Sequence, residues 1–225
     1  MRVLVVDTAL GLCTAGVFEV EGAEVRRLGL RSEPMVKGHS ERLAGFARDA
    51  MAEAGLGFEA IDRVGVTAGP GSFTGLRVGL AFAQGLGAAL DRPVVGVSSL
   101  DALAASGEGE AVAALIDARR GQVYARFWTD GLAGGPPEAL SLDAAAAGIA
   151  GLPPGAVLIG SGAALFAEAF PELTQAPLAG PAPEALARLA AAADPATSPP
   201  RPLYLRAPDA APPTRLPGQA RAARP

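Results

Sequence analysis

Val3-Leu4-Val5-Val6 is an unbroken apolar run that stops at Asp7-Thr8. A strand that is apolar on both faces belongs inside a sheet covered on both sides. The run therefore points to a layered α/β arrangement with a strand near its centre. The chain's 225 residues suffice for one sizeable domain, or for two small ones sharing an interface. Half of them are hydrophobic, which argues against a wholly disordered chain.

The order of elements extends the same reading. Cys13–Val20 and Ala23–Leu30 are separated by Glu21-Gly22 and read as a hairpin. In 39–54, Leu43, Phe46, Ala47, Ala50, Met51 and Ala54 recur at three- and four-residue steps, so the spacing predicts a helix that Gly55 stops. Val64–Thr67 reads as a strand, Thr74–Leu90 as a helix, Pro93–Val97 as a strand and Ser99–Ala105 as a short helix. The result is a β-β-β-α-β-α-β-α unit over residues 1–107. The next stretch, 108–206, repeats the theme more loosely. Strands are expected at Ala111–Ile116, Val123–Trp128 and Ala156–Ile159, and helices at Leu142–Ile149, Ala163–Ala169 and Glu184–Ala193. Two units of similar order suggest duplicated topology. Nine of the 20 prolines fall from Pro195 onward. Pro202–Arg206 is expected to be ordered through Leu203, Tyr204 and Leu205, and 207–225 to be a disordered Pro/Ala/Arg tail.

Scarce residues narrow the chemistry. A single Cys (Cys13) excludes an intramolecular disulfide, and a single His (His39) excludes a metal site built on two or three His. Lys37 is the only lysine among 19 basic residues. Residues 201–225 hold five Arg against one Asp, or +4, which leaves −8 on the preceding 200 residues within a net charge of −4. An acidic body is a poor independent binder of nucleic acid, since binding begins with phosphate neutralisation. The N-terminus reaches Asp7 too soon for a signal peptide, and the apolar stretch Gly75–Leu90 is short of the roughly 20 residues a bilayer requires. A soluble cytoplasmic protein without a membrane association is expected.

The strongest local signal is Gly69-Pro70-Gly71-Ser72-Phe73-Thr74-Gly75-Leu76-Arg77-Val78-Gly79. A glycine-rich turn between strand and helix either exposes N–H groups to an anion or serves only as a tight turn. The phosphate-binding G-x-x-x-x-G-K-[ST] spacing is absent, and Ser72 or Thr74 is the expected helix cap. Gly75, Gly79 and Ala83 form a nearly bare stripe, while Leu76, Val78, Leu80, Phe82 and Leu86 leave few polar positions elsewhere. Such a helix is either an internal core helix or part of a subunit interface. His39 lacks a metal-ligating partner at the next turn, where Leu43 stands, and reads as a surface or capping residue. Asp7, with Thr8 beside it, is either a strand-end turn former or a ligand for phosphate-bound Mg²⁺. Asp117 and Arg119 read as a polar turn with a local ion pair, and Cys13 as a core thiol. No motif-bearing nucleophile surrounds His39, the only possible base, so no Ser–His–Asp arrangement is read from the sequence.

Taken together, Val5-Val6-Asp7-Thr8-Ala9, His39-Ser40-Glu41-Arg42-Leu43, the Gly69–Gly79 segment, Asp117-Ala118-Arg119 and Leu203-Tyr204-Leu205-Arg206 resemble the bacterial TsaB (YeaZ) family in order and spacing. The resemblance covers about residues 1–206 and is weakest through 130–200. It implies the actin, Hsp70 and sugar-kinase (ASKHA) fold, with two subdomains of duplicated topology. It also implies a non-catalytic subunit of the machinery that makes N6-threonylcarbamoyladenosine in tRNA, paired with the transferase TsaD and joined by the ATPase TsaE. A helix-borne H-x-x-x-H holds the metal of the catalytic paralogue, and here Leu43 replaces its second His. The superfamily's phosphate-loop glycine is missing from Asp7-Thr8-Ala9-Leu10, and the adenosine-side glycines reduce to Gly160-Ser161-Gly162. No catalytic residue, metal or cofactor is therefore expected.

On this resemblance the two helices would pack against the equivalent pair of TsaD through His39, Leu43, Phe46, Ala47, Ala50, Gly75, Leu76, Gly79, Leu80 and Ala83. The same surface could form a homodimer without the partner. Asp7, Thr8, Gly69, Gly71, Ser72, Thr74, Arg77, Asp117 and Arg119 would be what remains of a ligand loop. tRNA would be met only through the complex. The alternative is a stand-alone enzyme of this fold, either a glycoprotease-like metallopeptidase or a kinase.

Overall fold

The computed structural model describes residues 1–206; the expected tail, 207–225, lies outside the described residues. Strands β1 (Arg2–Asp7), β2 (Leu12–Glu21) and β3 (Glu24–Pro34) run antiparallel in sequence, with Gly22-Ala23 as the hairpin turn. Strand β4 (Arg63–Gly69) and β5 (Val94–Ser98) then add in parallel beside β1, giving the order β3-β2-β1-β4-β5. Val3 to Val6 are all fully buried, as a strand covered on both faces must be.

One face of this sheet carries α1 (His39–Ala54) and α2 (Phe73–Leu90). Helix α1 lays Leu43, Phe46, Ala47, Ala50 and Met51 on the sheet, and Gly55 ends it in a left-handed conformation (φ 66°). Burial of Leu43, Phe46 and Met51 stabilises this contact by about 1.5–3 kcal/mol each. Helix α2 begins two residues before the apolar stretch counted from the sequence. Its 18 residues and mean hydropathy of 1.2 make it long and apolar enough to cross a membrane by length and composition. Here it covers a sheet instead: the face carrying Gly75, Leu76, Gly79, Leu80, Ala83 and Gly87 is buried on β4, β1 and β5.

The second sheet repeats the first. Strands β6 (Ala111–Arg119) and β7 (Gln122–Thr129) form a hairpin, to which β8 (Leu132–Ala133) and β9 (Glu138–Ser141) add on the β7 side. Strands β10 (Val157–Ile159) and β11 (Thr174–Ala176) add in parallel beside β6. The order β9-β7-β6-β10-β11 matches β3-β2-β1-β4-β5 position by position. Helix α4 (Leu142–Ala150) stands where α1 does, and a 3-10 turn at Ala163–Phe166 stands where α2 does.

Between the sheets lie α3 (Ser99–Ala104) and α5 (Pro183–Ala192), and each crosses over. Helix α3 follows β5 but sets Leu100 and Leu103 against Val112, Ala114, Ile116 and Ile159 of the second sheet. Helix α5 follows β11 but sets Leu186, Ala187 and Ala190 against Val3, Val5, Val95 and Val97 of the first. From α5 the chain returns along the first unit: Gly96 N–H donates to the Ser198 carbonyl (2.9 Å) and Leu203 N–H to the Ala68 carbonyl (2.7 Å).

Candidate functional site

The Gly69–Gly79 segment is built against the end of β1. Ser72, not Thr74, is the cap of α2, its Oγ accepting the Gly75 N–H at 3.2 Å. Ser72 N–H donates to the Ala9 carbonyl (2.7 Å), and the Thr8 hydroxyl donates to the Gly75 carbonyl (2.7 Å). A Cβ on Gly71 or Gly75 would collide with the carbonyl oxygens of Ala9 and Thr8, and one on Gly79 would lie 2.6 Å from Thr8 Oγ1. These glycines let the loop and helix sit directly on Thr8-Ala9. At Gly75 and Gly79 the glycine stripe thus meets Thr8 and Val66 of the chain itself.

Asp7, at the end of β1, is 1% exposed. Its Oδ1 accepts the Thr67 hydroxyl (2.6 Å) and the Ala9 N–H (2.9 Å), while Oδ2 is buried without a partner. Burial pushes this carboxyl above the ordinary carboxylate range, against the pull of those two hydrogen bonds and of nearby His39. His39 opens α1 behind Gly38 and is itself buried, with Nε2 unpartnered; it is neither the surface residue nor the side-chain cap read from sequence. Burial also pushes the Cys13 thiol up to about 11, as suits a core thiol. Among the described residues no group of three or more His, Cys, Asp or Glu converges.

A cleft of about 500 Å³ opens between the two units. Its lining includes Ala9, Leu10, His39, Gly71 and Ser72 from the first unit, and Asp117, Arg119, Tyr124 and Ser161 from the second. Asp117 and Arg119 answer each other: the carboxylate accepts the Arg119 N–H at 2.8 Å and pairs with its guanidinium at 3.0 Å. Ser161 Oγ accepts the Asp117 N–H (3.2 Å), and Gly160 and Gly162 lie against Leu115 of β6. The expected ligand loop is thus divided. Gly71, Ser72, Asp117 and Arg119 line the cleft, and Asp7, Thr8 and Gly69 serve the packing beneath it. Thr74 and Arg77 face elsewhere, into a groove between α1 and α2.

Comparison with known proteins places this geometry. The family model for TsaD, tRNA N6-adenosine threonylcarbamoyltransferase, matches residues 28–130. A TsaB of Haemophilus influenzae, a tRNA threonylcarbamoyladenosine biosynthesis protein, is 34% identical over 129 residues, covering 55% of this chain and 52% of that protein. An uncharacterised Mycobacterium leprae protein is 42% identical over 130 residues, covering 58% of this chain and 36% of its own length. The chain thus spans about a third to a half of the length of these curated relatives. Two solved chains extend the likeness: YeaZ from Pseudomonas aeruginosa (28% identity, TM-score 0.72) and a protein described as similar to peptidase YeaZ (30%, 0.71). Each covers 91% of this chain and is itself covered to 99%.

The chain belongs to the TsaB (YeaZ) family. With membership comes the ASKHA-type α/β fold, seen here as two mixed sheets of one strand order. The TsaB-family surface expected from the sequence needs correction. Phe46, Ala47, Ala50, Gly75, Leu76, Gly79, Leu80 and Ala83 are buried within the chain's own first unit, His39 lines the cleft, and Leu43 alone of the ten reaches the outward groove. The outward groove, about 500 Å³, is lined by Ser40, Ala44, Phe73, Thr74, Arg77, Val78, Ala81 and Phe82, with Leu43 at its base. The signal for it was present: 74, 77, 78, 81 and 82 are a second helical stripe, rotated from the glycine stripe.

Proposed function

We propose that this chain is the non-catalytic partner subunit of the machinery that makes N6-threonylcarbamoyladenosine in tRNA. It binds TsaD through the outer face of α1 and α2, the ATPase TsaE joins the pair, and the complex works in the cytoplasm. The observation that carries this reading is the apolar groove between α1 and α2, lying inside the 28–130 stretch matched by the TsaD family. Both proteins then carry the same helix pair, and two like surfaces meeting about a pseudo-twofold axis make a self-complementary contact. The exposed Phe73, with Val78, Ala81 and Phe82, supplies the apolar area such a contact buries against the cost of association.

A non-catalytic role is supported by the residues themselves. Leu43 occupies the position of the second metal-ligating His and is buried. The Thr8-Ala9 turn and the glycines facing it are occupied with each other. The same groove would pair two copies when TsaD is absent, and the acidic body leaves tRNA to the assembled complex.

Ala81 is exposed in the groove, so Ala81→Arg blocks docking without disturbing the core. The variant is expected to lose co-purification with TsaD and to fail to support tRNA modification by it. Full binding by Ala81→Arg would overturn the groove as the interface. Absence of binding by the unaltered chain would overturn the function.

A further inference from the structure

The groove contains one charge. Arg77 lies among Ala44, Phe73, Val78, Ala81 and Phe82, and no acid lines the groove beside it. Its guanidinium stacks 3.9 Å above the Phe73 ring, and its Nε donates to the Tyr204 hydroxyl at 3.4 Å. Tyr204 in turn packs on Phe73, with ring centroids 5.4 Å apart. Among the described residues no carboxylate pairs with Arg77. Helix α2 has no Asp or Glu at all.

Covering this groove strips water from a guanidinium to which the described residues bring no anion. A desolvated charge without a partner opposes association, whereas a carboxylate opposite it gives a bidentate, charge-assisted contact. A second copy of this chain brings a second Arg77 into the same apolar contact, and like charges across an interface disfavour the wrong partner. We infer that Arg77 is the specificity residue of this surface. The groove takes a partner helix pair that presents an Asp or Glu to the guanidinium, and it selects that partner over self-association. Tyr204 and Phe73 are positioning residues that hold the guanidinium in place before docking, so little side-chain freedom is lost on pairing. Tyr204 lies in the returning segment, outside the 28–130 stretch shared with the TsaD family.

This inference rests on the partner reading above, and its test separates the two. Dissociation constants for TsaD and for self-association are measured by sedimentation velocity for the unaltered chain, Arg77→Leu and Tyr204→Phe. Arg77→Leu is expected to weaken TsaD binding about tenfold and to tighten self-association about tenfold. Tyr204→Phe, which keeps the ring and removes the hydroxyl, is expected to shift both in the same directions by less. Arg77 is exposed, and unchanged thermal midpoints confirm that the variants fold. If Arg77→Leu leaves both constants unchanged, the inference is overturned. If the unaltered chain does not bind TsaD, the partner reading falls. The self-association arm then still decides the role of Arg77, tightening in Arg77→Leu supporting it and constancy refuting it.

Discussion

Gly79 lies where α2 crosses the end of β1, and what it touches decides what a mutation there would report. A side chain at this position meets Thr8 Oγ1 at 2.6 Å and Val66 at 3.5 Å. Gly79→Leu is therefore a core insertion, expected to cost about 1–3 kcal/mol through displaced neighbours. A urea midpoint that falls relative to the unaltered chain would agree; an unchanged midpoint with lost TsaD binding would return Gly79 to an interface. Spacing alone shows that Gly75, Gly79 and Ala83 share a face. It does not show whether the surface opposite is another subunit or the chain's own strand. The same limit applies to His39, whose burial depends on residues brought near it by the fold.

At the scale of elements, most of the first unit was legible. The bounds of α1 follow from one apolar stripe and a stop glycine, and β1 from an apolar run ended by an acid. The second unit was less so. Strands β9 and β11 are four and three residues long and only partly buried, too short to show an alternating pattern. The helix expected over 163–169 is a 3-10 turn of four residues. Tertiary anchoring was also invisible in sequence. Arg63 of β4 donates from one guanidinium nitrogen to the carbonyls of Ala190, Ala191 and Ala193 at 3.0, 2.8 and 2.6 Å, capping the C-terminal end of α5. Arg63→Ala leaves those carbonyls without this donor and is expected to destabilise the protein by about 2 kcal/mol. Urea unfolding monitored by circular dichroism checks this, and a loss within experimental error would show that water replaces the guanidinium.

The crossing of α3 and α5 determines how the whole molecule should unfold. Each unit supplies the helix that covers the other's inner face, so neither sheet is covered on both sides without the other. The returning segment adds backbone bonds from Ser198 and Leu203 to β5 and β4 of the first unit. Two units of one topology would melt separately if each closed its own core. With the middle layer exchanged, loss of either unit exposes the core face of the other, and unfolding should be cooperative. The chain provides its own probes. Trp128, the single tryptophan, lies on β7 of the second sheet, whereas the two longest helices, α1 and α2, lie on the first. Tryptophan fluorescence and far-ultraviolet circular dichroism are expected to give one coincident transition in urea. Arg63→Ala should move both curves together, although Arg63 is remote from Trp128 in sequence. Two separated midpoints would show that the units fold independently and that the exchanged helices contribute little to holding them together.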